Sequence, residues 1–323
     1  MRRPKSHRGL LLALLAAPAS SAEPCRPQQL ASLSLTVTDG GELLAPMKIG
    51  GESALLFLNT GSGRSGLYRD HVRTLRASAS PAPAPSRADR VAVTENVRLN
   101  SVWLAEQRLG TVRFNVINTD SPPVRVQGEP VAVEGVLGTD LLAQYDYELD
   151  LADRRLNIYS QDHCRGQGAY WSSQYQSLPL TRSTTDPLES FVVIEVNDRR
   201  IEATLSTGSA HTWLSTDVSR ALYQVDRDSP ELVALADAAA SSARYYPISL
   251  TLQQLRWPDY PVLLANAERP NCRLRADIPD TVGYVNCSET PLQLGRDLLG
   301  QLRIFVANRE RRIYFTANDR SIP

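Results

Sequence analysis

Apolar residues along this chain recur in short runs, many of them alternating with polar ones, and the runs stop at glycine, proline or polar clusters. That is the period of half-buried β-strands, not of helices. It predicts strands over 34–38, 43–49, 91–99, 102–105 and 112–117 in the first half. In the second half it predicts them over 191–196, 245–252, 260–265, 304–307 and 312–316. A polar turn is expected at 106–110, and 245–252 and 260–265 are expected to form a strand pair around Trp257-Pro258, while Trp103 reads as sheet packing. One stretch carries helix-start chemistry. Ser229-Pro230-Glu231, with Ser at the N-cap and Pro at the first helical position, predicts a short helix reaching Ala240. Residues 77–86 (Ala-Ser-Ala-Ser-Pro-Ala-Pro-Ala-Pro-Ser) are low in complexity and bury little, which reads as a tolerated surface insertion.

Two strand-like runs end in nearly the same tetrapeptide. Leu55-Leu56-Phe57-Leu58 leads into Asn59-Thr60-Gly61-Ser62, and Ile201-Glu202-Ala203-Thr204-Leu205 leads into Ser206-Thr207-Gly208-Ser209. Each is followed by a further strand-like segment, at 65–68 and at 211–215. A second pair lies downstream: Val136-Leu137-Gly138-Thr139-Asp140-Leu141-Leu142 and Gln293-Leu294-Gly295-Arg296-Asp297-Leu298-Leu299. The first pair superposes at the offset of Ser206 from Asn59, 147 positions, and the second runs on in register, Gln144 with Gln301 and Arg154-Arg155 with Arg311-Arg312, at 157. Self-similarity at near-constant spacing marks a duplicated unit.

With aspartate at positions 59 and 206, both loops would read Asp-Thr-Gly-Ser. In those loops, and in the hydrophobic-hydrophobic-Gly element leading to a short helix, the chain resembles the aspartic proteases, both retroviral-type (retropepsin) and pepsin-like. The Gly-Arg-Asp-Leu-Leu core of the second copy is closer to the retropepsin form, and the resemblance covers roughly 33–159 and 178–316. It implies an all-β, bilobal acid-protease fold: two retropepsin-like β-barrel lobes related by pseudo-twofold symmetry, with short helices. The lobes are expected at 23–160 and 178–323, joined by a polar and aromatic linker at 161–177. Because both units lie in one chain, a monomer is expected. The resemblance also implies that Asn59 and Ser206 hold the catalytic-dyad positions and that Thr60 and Thr207 hydrogen-bond across the lobe interface. With Gly61, Ser62, Gly208 and Ser209, those threonines would form the floor of a peptide-binding cleft. Asp140 and Asp297 would support helix starts, and residues 77–86 would sit near the approach to the flap.

The dyad of an aspartic protease works because two carboxyl groups share one proton, one activating water and the other polarising the scissile carbonyl. An asparagine amide is not a base at physiological pH, and a serine hydroxyl is a poor one. The dyad chemistry is therefore absent. The expected function is a pseudoprotease that binds an extended peptide or a partner protein in the interlobe cleft. Two alternatives stay open: an active peptidase of aspartic or unorthodox type, and a structural envelope protein with a vestigial cleft. For the unorthodox case, Ser206 or Ser209 with His211 and Asp217 forms a Ser-His-Asp set on paper, although such sets are defined by geometry.

Composition adds the compartment. Arg2, Arg3, Lys5 and Arg8 precede a short apolar core at 9–17 and the small residues Ser20-Ser21-Ala22, so 1–22 reads as a cleaved export signal, too short to span a membrane. Removing it turns 35 basic against 35 acidic residues into 31 against 35, net −4, which offers no footprint for nucleic acid. The protein is expected to be exported, either periplasmic or secreted. Its four cysteines, Cys25, Cys164, Cys272 and Cys287, are then expected as disulfides, with three pairings open. The local pair Cys272–Cys287 is favoured, stabilising by about 3 kcal/mol through loop closure, and leaves Cys25–Cys164. No Cys-x-x-Cys spacing exists and the histidines are scattered, so neither a metal nor a cofactor is expected.

Overall fold

The computed structural model describes residues 25–82, 95–182, 189–234, 244–265, 273–274, 281–282, 284–285 and 290–318. The alternation seen in the sequence becomes strand: Leu43–Ile49 and Glu52–Leu58 bury every other side chain toward the end nearest the core. The described helices are short: Arg69–Thr74, Thr139–Leu142, Thr216–Tyr223 and Arg296–Leu299.

Each half closes a barrel. In the first, Leu43–Ile49, Glu52–Leu58, Gly135–Leu137, Gly66–Tyr68, Gln107–Ile117 and Glu95–Leu104 follow one another, and Glu95–Leu104 pairs back onto Leu43–Ile49. The second repeats the order with Ser190–Val196, Arg199–Leu205, Leu292–Leu294, Trp213–Ser215, Leu255–Ala265 and Arg244–Leu252, and closes the last strand on the first. Both barrels begin with a two-residue hairpin whose turn needs positive φ at both positions. Gly50-Gly51 (φ 65° and 95°) supplies it in one, Asn197-Asp198 (φ 45° and 61°) in the other. The cores correspond as well: Leu56, Leu67 and Leu137 are fully buried in the first lobe, and Ala203, Leu214 and Leu294 in the second.

A six-stranded sheet joins the lobes. Its order is Gln29–Ser34, Arg155–Tyr159, Asp146–Asp150, Leu302–Ala307, Arg312–Ala317 and Gln176–Pro179, with Asp146–Asp150 antiparallel to Leu302–Ala307 across the middle. The segment expected as a linker at 161–177 packs against this sheet and at Gln176 becomes its last strand: Trp171 joins the cluster of Tyr159, Phe305 and Tyr314, and its indole N–H donates to Thr316 Oγ1 at 3.1 Å. A disulfide links Cys25 to Cys164 and fastens the start of the described chain there. Cys272 and Cys287, like the export signal expected at 1–22, lie outside the described residues.

Local expectations change in several places. The turn expected at 106–110 is confined to residues 105–106, with Gln107–Ile117 already strand, and Trp257-Pro258 lies inside the strand Leu255–Ala265, which pairs with Arg244–Leu252 across a turn at 253–254. The strands read at 91–99 and 102–105 are one strand, Glu95–Leu104, with an irregular register between Leu99 and Val102 and a positive φ at Ser101; residues 91–94 lie outside the described part. Such a bulge lets one strand turn while it stays in the ladder, and the sequence shows it only as a break in alternation. The helix expected from Ser229 does not start there, because Ser229 Oγ accepts from the backbone N–H of Asp226 at 2.8 Å and so is not used as an N-cap. The chain turns and enters the strand Val233–Ala234, and residues 235–243 lie outside the described part. Of the low-complexity segment, Ala79–Pro81 forms an exposed strand on Glu95–Leu104, and residues 83–86 lie outside the described part.

Candidate functional site

Each tetrapeptide loop is held open by a strand threaded behind it. Gly135–Leu137 runs parallel to Glu52–Leu58 and antiparallel to Gly66–Tyr68, so it lies between the strand entering the first loop and the strand leaving it. Leu292–Leu294 does the same between Arg199–Leu205 and Trp213–Ser215. The backbone N–H of Asn59 donates to Leu137 O at 3.0 Å, and that of Ser206 to Leu294 O at 2.9 Å.

The aspartates of the short helices complete each loop. Asp140 Oδ1 accepts from the Ser65 backbone N–H (3.0 Å) and hydroxyl (2.6 Å), and Ser65 Oγ accepts from Gly138 N–H at 2.9 Å. Asp297 receives the Thr212 N–H at 2.9 Å and hydroxyl at 2.8 Å, and Thr212 Oγ1 accepts from Gly295 N–H at 3.0 Å. Burial pushes the Asp140 carboxyl above the usual carboxylate range, and the Ser65 hydrogen bonds pull it back. These carboxylates brace loops and helix starts, as the sequence implied.

The loops meet through their threonines. Thr60 N–H donates to Thr207 Oγ1 at 3.0 Å and Thr207 N–H to Thr60 Oγ1 at 3.1 Å. In return, Thr60 Oγ1 donates to Leu205 O and Thr207 Oγ1 to Leu58 O, both at 2.8 Å. All four bonds are buried and all cross between the lobes. The exchange is twofold-symmetric, which is why each loop needs the same residue. Thr60→Val keeps the shape but strands an N–H and a carbonyl without a partner, at about 1–3 kcal/mol. Urea unfolding of Thr60→Val and of Thr207→Val should show equal losses of about 2 kcal/mol.

Around that junction Asn59 and Ser206 each pack on the opposite loop. A Cβ added to Gly61 would meet Ser206 Oγ at 2.5 Å, and one added to Gly208 would meet Asn59 Oδ1 at 2.5 Å and Nδ2 at 2.6 Å. Only glycine permits that approach. Ser62 and Ser209 turn their hydroxyls back on their own loops, donating to Arg64 O (2.9 Å) and His211 O (2.6 Å). The structure therefore brings together Asn59, Thr60, Gly61, Thr207, Gly208 and Ser206, with Ser62 and Ser209 as loop braces.

The Ser-His-Asp alternative is not assembled among the described residues. His211 Nδ1 faces Asp297 at 3.8 Å, and Asp217 pairs with Arg220 at 3.7 Å. The described residues hold no group of three potential metal ligands. No described helix is long and apolar enough to cross a membrane.

Two site residues escaped the sequence reading. Gln293 stands where Val136 stands in the first copy, and was read as part of a hydrophobic-hydrophobic-Gly element. It is 9% exposed; its carbonyl oxygen accepts from Trp213 Nε1, and its Nε2 lies 2.9 Å from the Cβ position of Gly61. The available signal was the polarity itself, since a buried amide in a strand needs partners. Arg296 is a second addition, donating from Nη1 to Thr207 O at 2.8 Å. Burial disfavours its charge while Glu42 and Asp297 support it.

No family model and no curated protein matches the chain. Solved structures do. Conglutin gamma, a basic 7S globulin from lupine seeds, is 13% identical with a TM-score of 0.48, covering 91% of this chain and 96% of its own. Basic 7S globulin from soybean is 12% identical with a TM-score of 0.46, at the same coverages of 91% and 96%. The duplicated barrels, the threaded strands and the threonine exchange make this chain an all-β, bilobal acid-protease fold whose two loops carry asparagine and serine in place of aspartate.

Proposed function

We propose that this protein is an exported, retropepsin-like pseudoprotease that acts as a monomer and holds an extended peptide or partner protein between its lobes. One observation carries the reading: the loop scaffold is complete down to the reciprocal threonine bonds, yet both positions that would need carboxylates carry groups unable to cycle a proton. A site assembled to this degree without its proton-transfer groups is suited to binding and not to hydrolysis. The disulfide between Cys25 and Cys164 supports an oxidising compartment, periplasmic or secreted.

The test is a peptide-library digest with the wild type, Asn59→Asp, Ser206→Asp and the double variant, across acid and neutral pH. Wild type and both single variants should stay at background, because one carboxyl has no partner to share its proton. The double variant should cleave on the acid side, at least a hundredfold above background, the lower end of what positioned proton transfer contributes. Wild-type cleavage that persists in Asn59→Ala/Ser206→Ala would overturn the reading.

A further inference from the structure

The replacement of the dyad does more than remove a base: it reverses the hydrogen-bonding sense of the cleft floor. Asn59 Oδ1 is already taken, accepting the Gly61 N–H at 3.0 Å. Gln293 Oε1 is taken by the Trp213 indole N–H. Both donors can only donate, so each amide is oriented by chemistry, with its oxygen turned into the protein and its NH2 left over. No hydrogen bond within the described residues engages Asn59 Nδ2, Gln293 Nε2 or the Ser206 hydroxyl.

Two of these groups flank Gly61, and the third, on Asn59, packs on Gly208 of the facing loop. Ser206 Oγ and Gln293 Nε2 lie 2.5 and 2.9 Å from the same point beside Gly61, whose N–H is the one that holds Asn59. Ser206 is 2% exposed and Gln293 9%, yet neither Ser206 Oγ nor Gln293 Nε2 is among the fully enclosed unpaired polar atoms of the described residues, so the little surface these residues keep includes their free donors. Asn59 and Gly61 are half-buried and Gly208 is exposed, so the junction opens outward on that side.

Building on the peptide-binding reading above, we infer that this floor is a receptor for a carboxylate. A carboxylate brings only acceptor sites, about four lone pairs on two oxygens, and matches three donor groups that carry no spare acceptor except the serine oxygen. Its charge-assisted bonds are about twice as strong as those to a neutral carbonyl, so a carboxylate is preferred over a mid-chain peptide carbonyl. A protease floor with an ionised aspartate would repel the same group. The carboxylate can be a peptide's C-terminus or an internal Asp or Glu side chain, and the chemistry at the floor is the same.

Three versions of one peptide separate the outcomes by titration calorimetry: a free C-terminus, a C-terminal amide, and the amide carrying one internal Asp. The free acid should bind at least tenfold tighter than the amide if the chain end is the ligand. The Asp-containing amide should match or exceed it if a side chain is the ligand. Asn59→Asp and Gln293→Glu are close in shape but place an acceptor and a negative charge at the floor. Each should weaken the tighter carboxylate peptide at least tenfold and narrow its advantage over the plain amide, with unchanged thermal unfolding midpoints as the folding control. Equal affinity for all three peptides would overturn the carboxylate inference while leaving peptide binding intact. Failure of every peptide to bind would remove the peptide-binding reading and this inference with it.

Discussion

Replacing Cys25 and Cys164 together by serine should cost about 5 kcal/mol of stability, the largest loss expected from any change considered for this chain. The two residues are 139 positions apart, so the crosslink closes a loop around nearly all of the first lobe. Closing a loop of that length removes entropy chiefly from the unfolded chain, and the effect grows with the logarithm of loop length. The folded state loses little contact in exchange. Beyond the bond, the tethered segment contributes Cys164 N–H to Cys25 O at 3.4 Å and Ser160 N–H to Gln28 O at 2.9 Å. Substitution is preferable to a reductant because it leaves Cys272 and Cys287 untouched. The measurement is the thermal midpoint by circular dichroism, expected to fall by roughly 10 °C or more. A shift below about 2 °C would show that the unfolded chain is already compact enough to make the crosslink redundant.

The second large effect lies in the sheet that joins the lobes. Glu148, on Asp146–Asp150, is fully buried and belongs to the first half; Arg303, on Leu302–Ala307, belongs to the second and is 29% exposed. The carboxylate accepts from Arg303 Nε, from Asn157 Nδ2 (3.0 Å), and from the hydroxyls of Tyr159 (2.9 Å) and Tyr170 (2.7 Å). Arg303 is itself covered by Trp171, 4.6 Å from its guanidinium carbon to the ring centre. Arg303→Met keeps the aliphatic stem and removes the compensating charge, leaving a carboxylate in a dry interior. Breaking a buried pair from one side costs about 3–5 kcal/mol. The lower end applies here, because three neutral donors still hold Glu148 and Arg303 is partly wetted. Denaturant unfolding of Arg303→Met should show a loss of about 3 kcal/mol. Adding Glu148→Gln should recover more than half of it, since an amide needs no counter-charge. If the double variant is as unstable as the sum of the two singles, the pair is not the source of the loss.

Both effects belong to the sheet and the segment packed on it, and they bear on function through the site. The loops of Asn59 and Ser206 are held by four buried bonds between the lobes, and their alignment depends on how the six-stranded sheet fixes the lobes to each other. A lobe shift of an ångström would break those bonds before it disturbed either barrel, because hydrogen bonds weaken steeply with distance and angle.

Much of this was legible in the residues alone. Alternation located most strands, the offset of 147 between Asn59 and Ser206 exposed the duplication, and side-chain identity settled that neither loop carries a carboxylate. Those properties are local or self-referential: a strand's period, a motif's repeat and an amide's lack of basicity do not depend on what lies across the fold. What needed the tertiary structure were the partners of buried polar groups. Gln293 and Val136 occupy matching strand positions, and only the packed structure shows that the glutamine meets Trp213 on one side and the space beside Gly61 on the other. Ser229 had the chemistry of an N-cap, but its hydroxyl found Asp226 first. Glu148 alternates like any strand residue, and its burial beneath Arg303 and two tyrosines follows from the meeting of strands more than 150 positions apart, as the separation of 155 between Glu148 and Arg303 shows. A polar side chain is satisfied by whatever the fold carries within 3 Å of it, and that neighbour is set by long-range strand pairing, which a linear pattern does not encode.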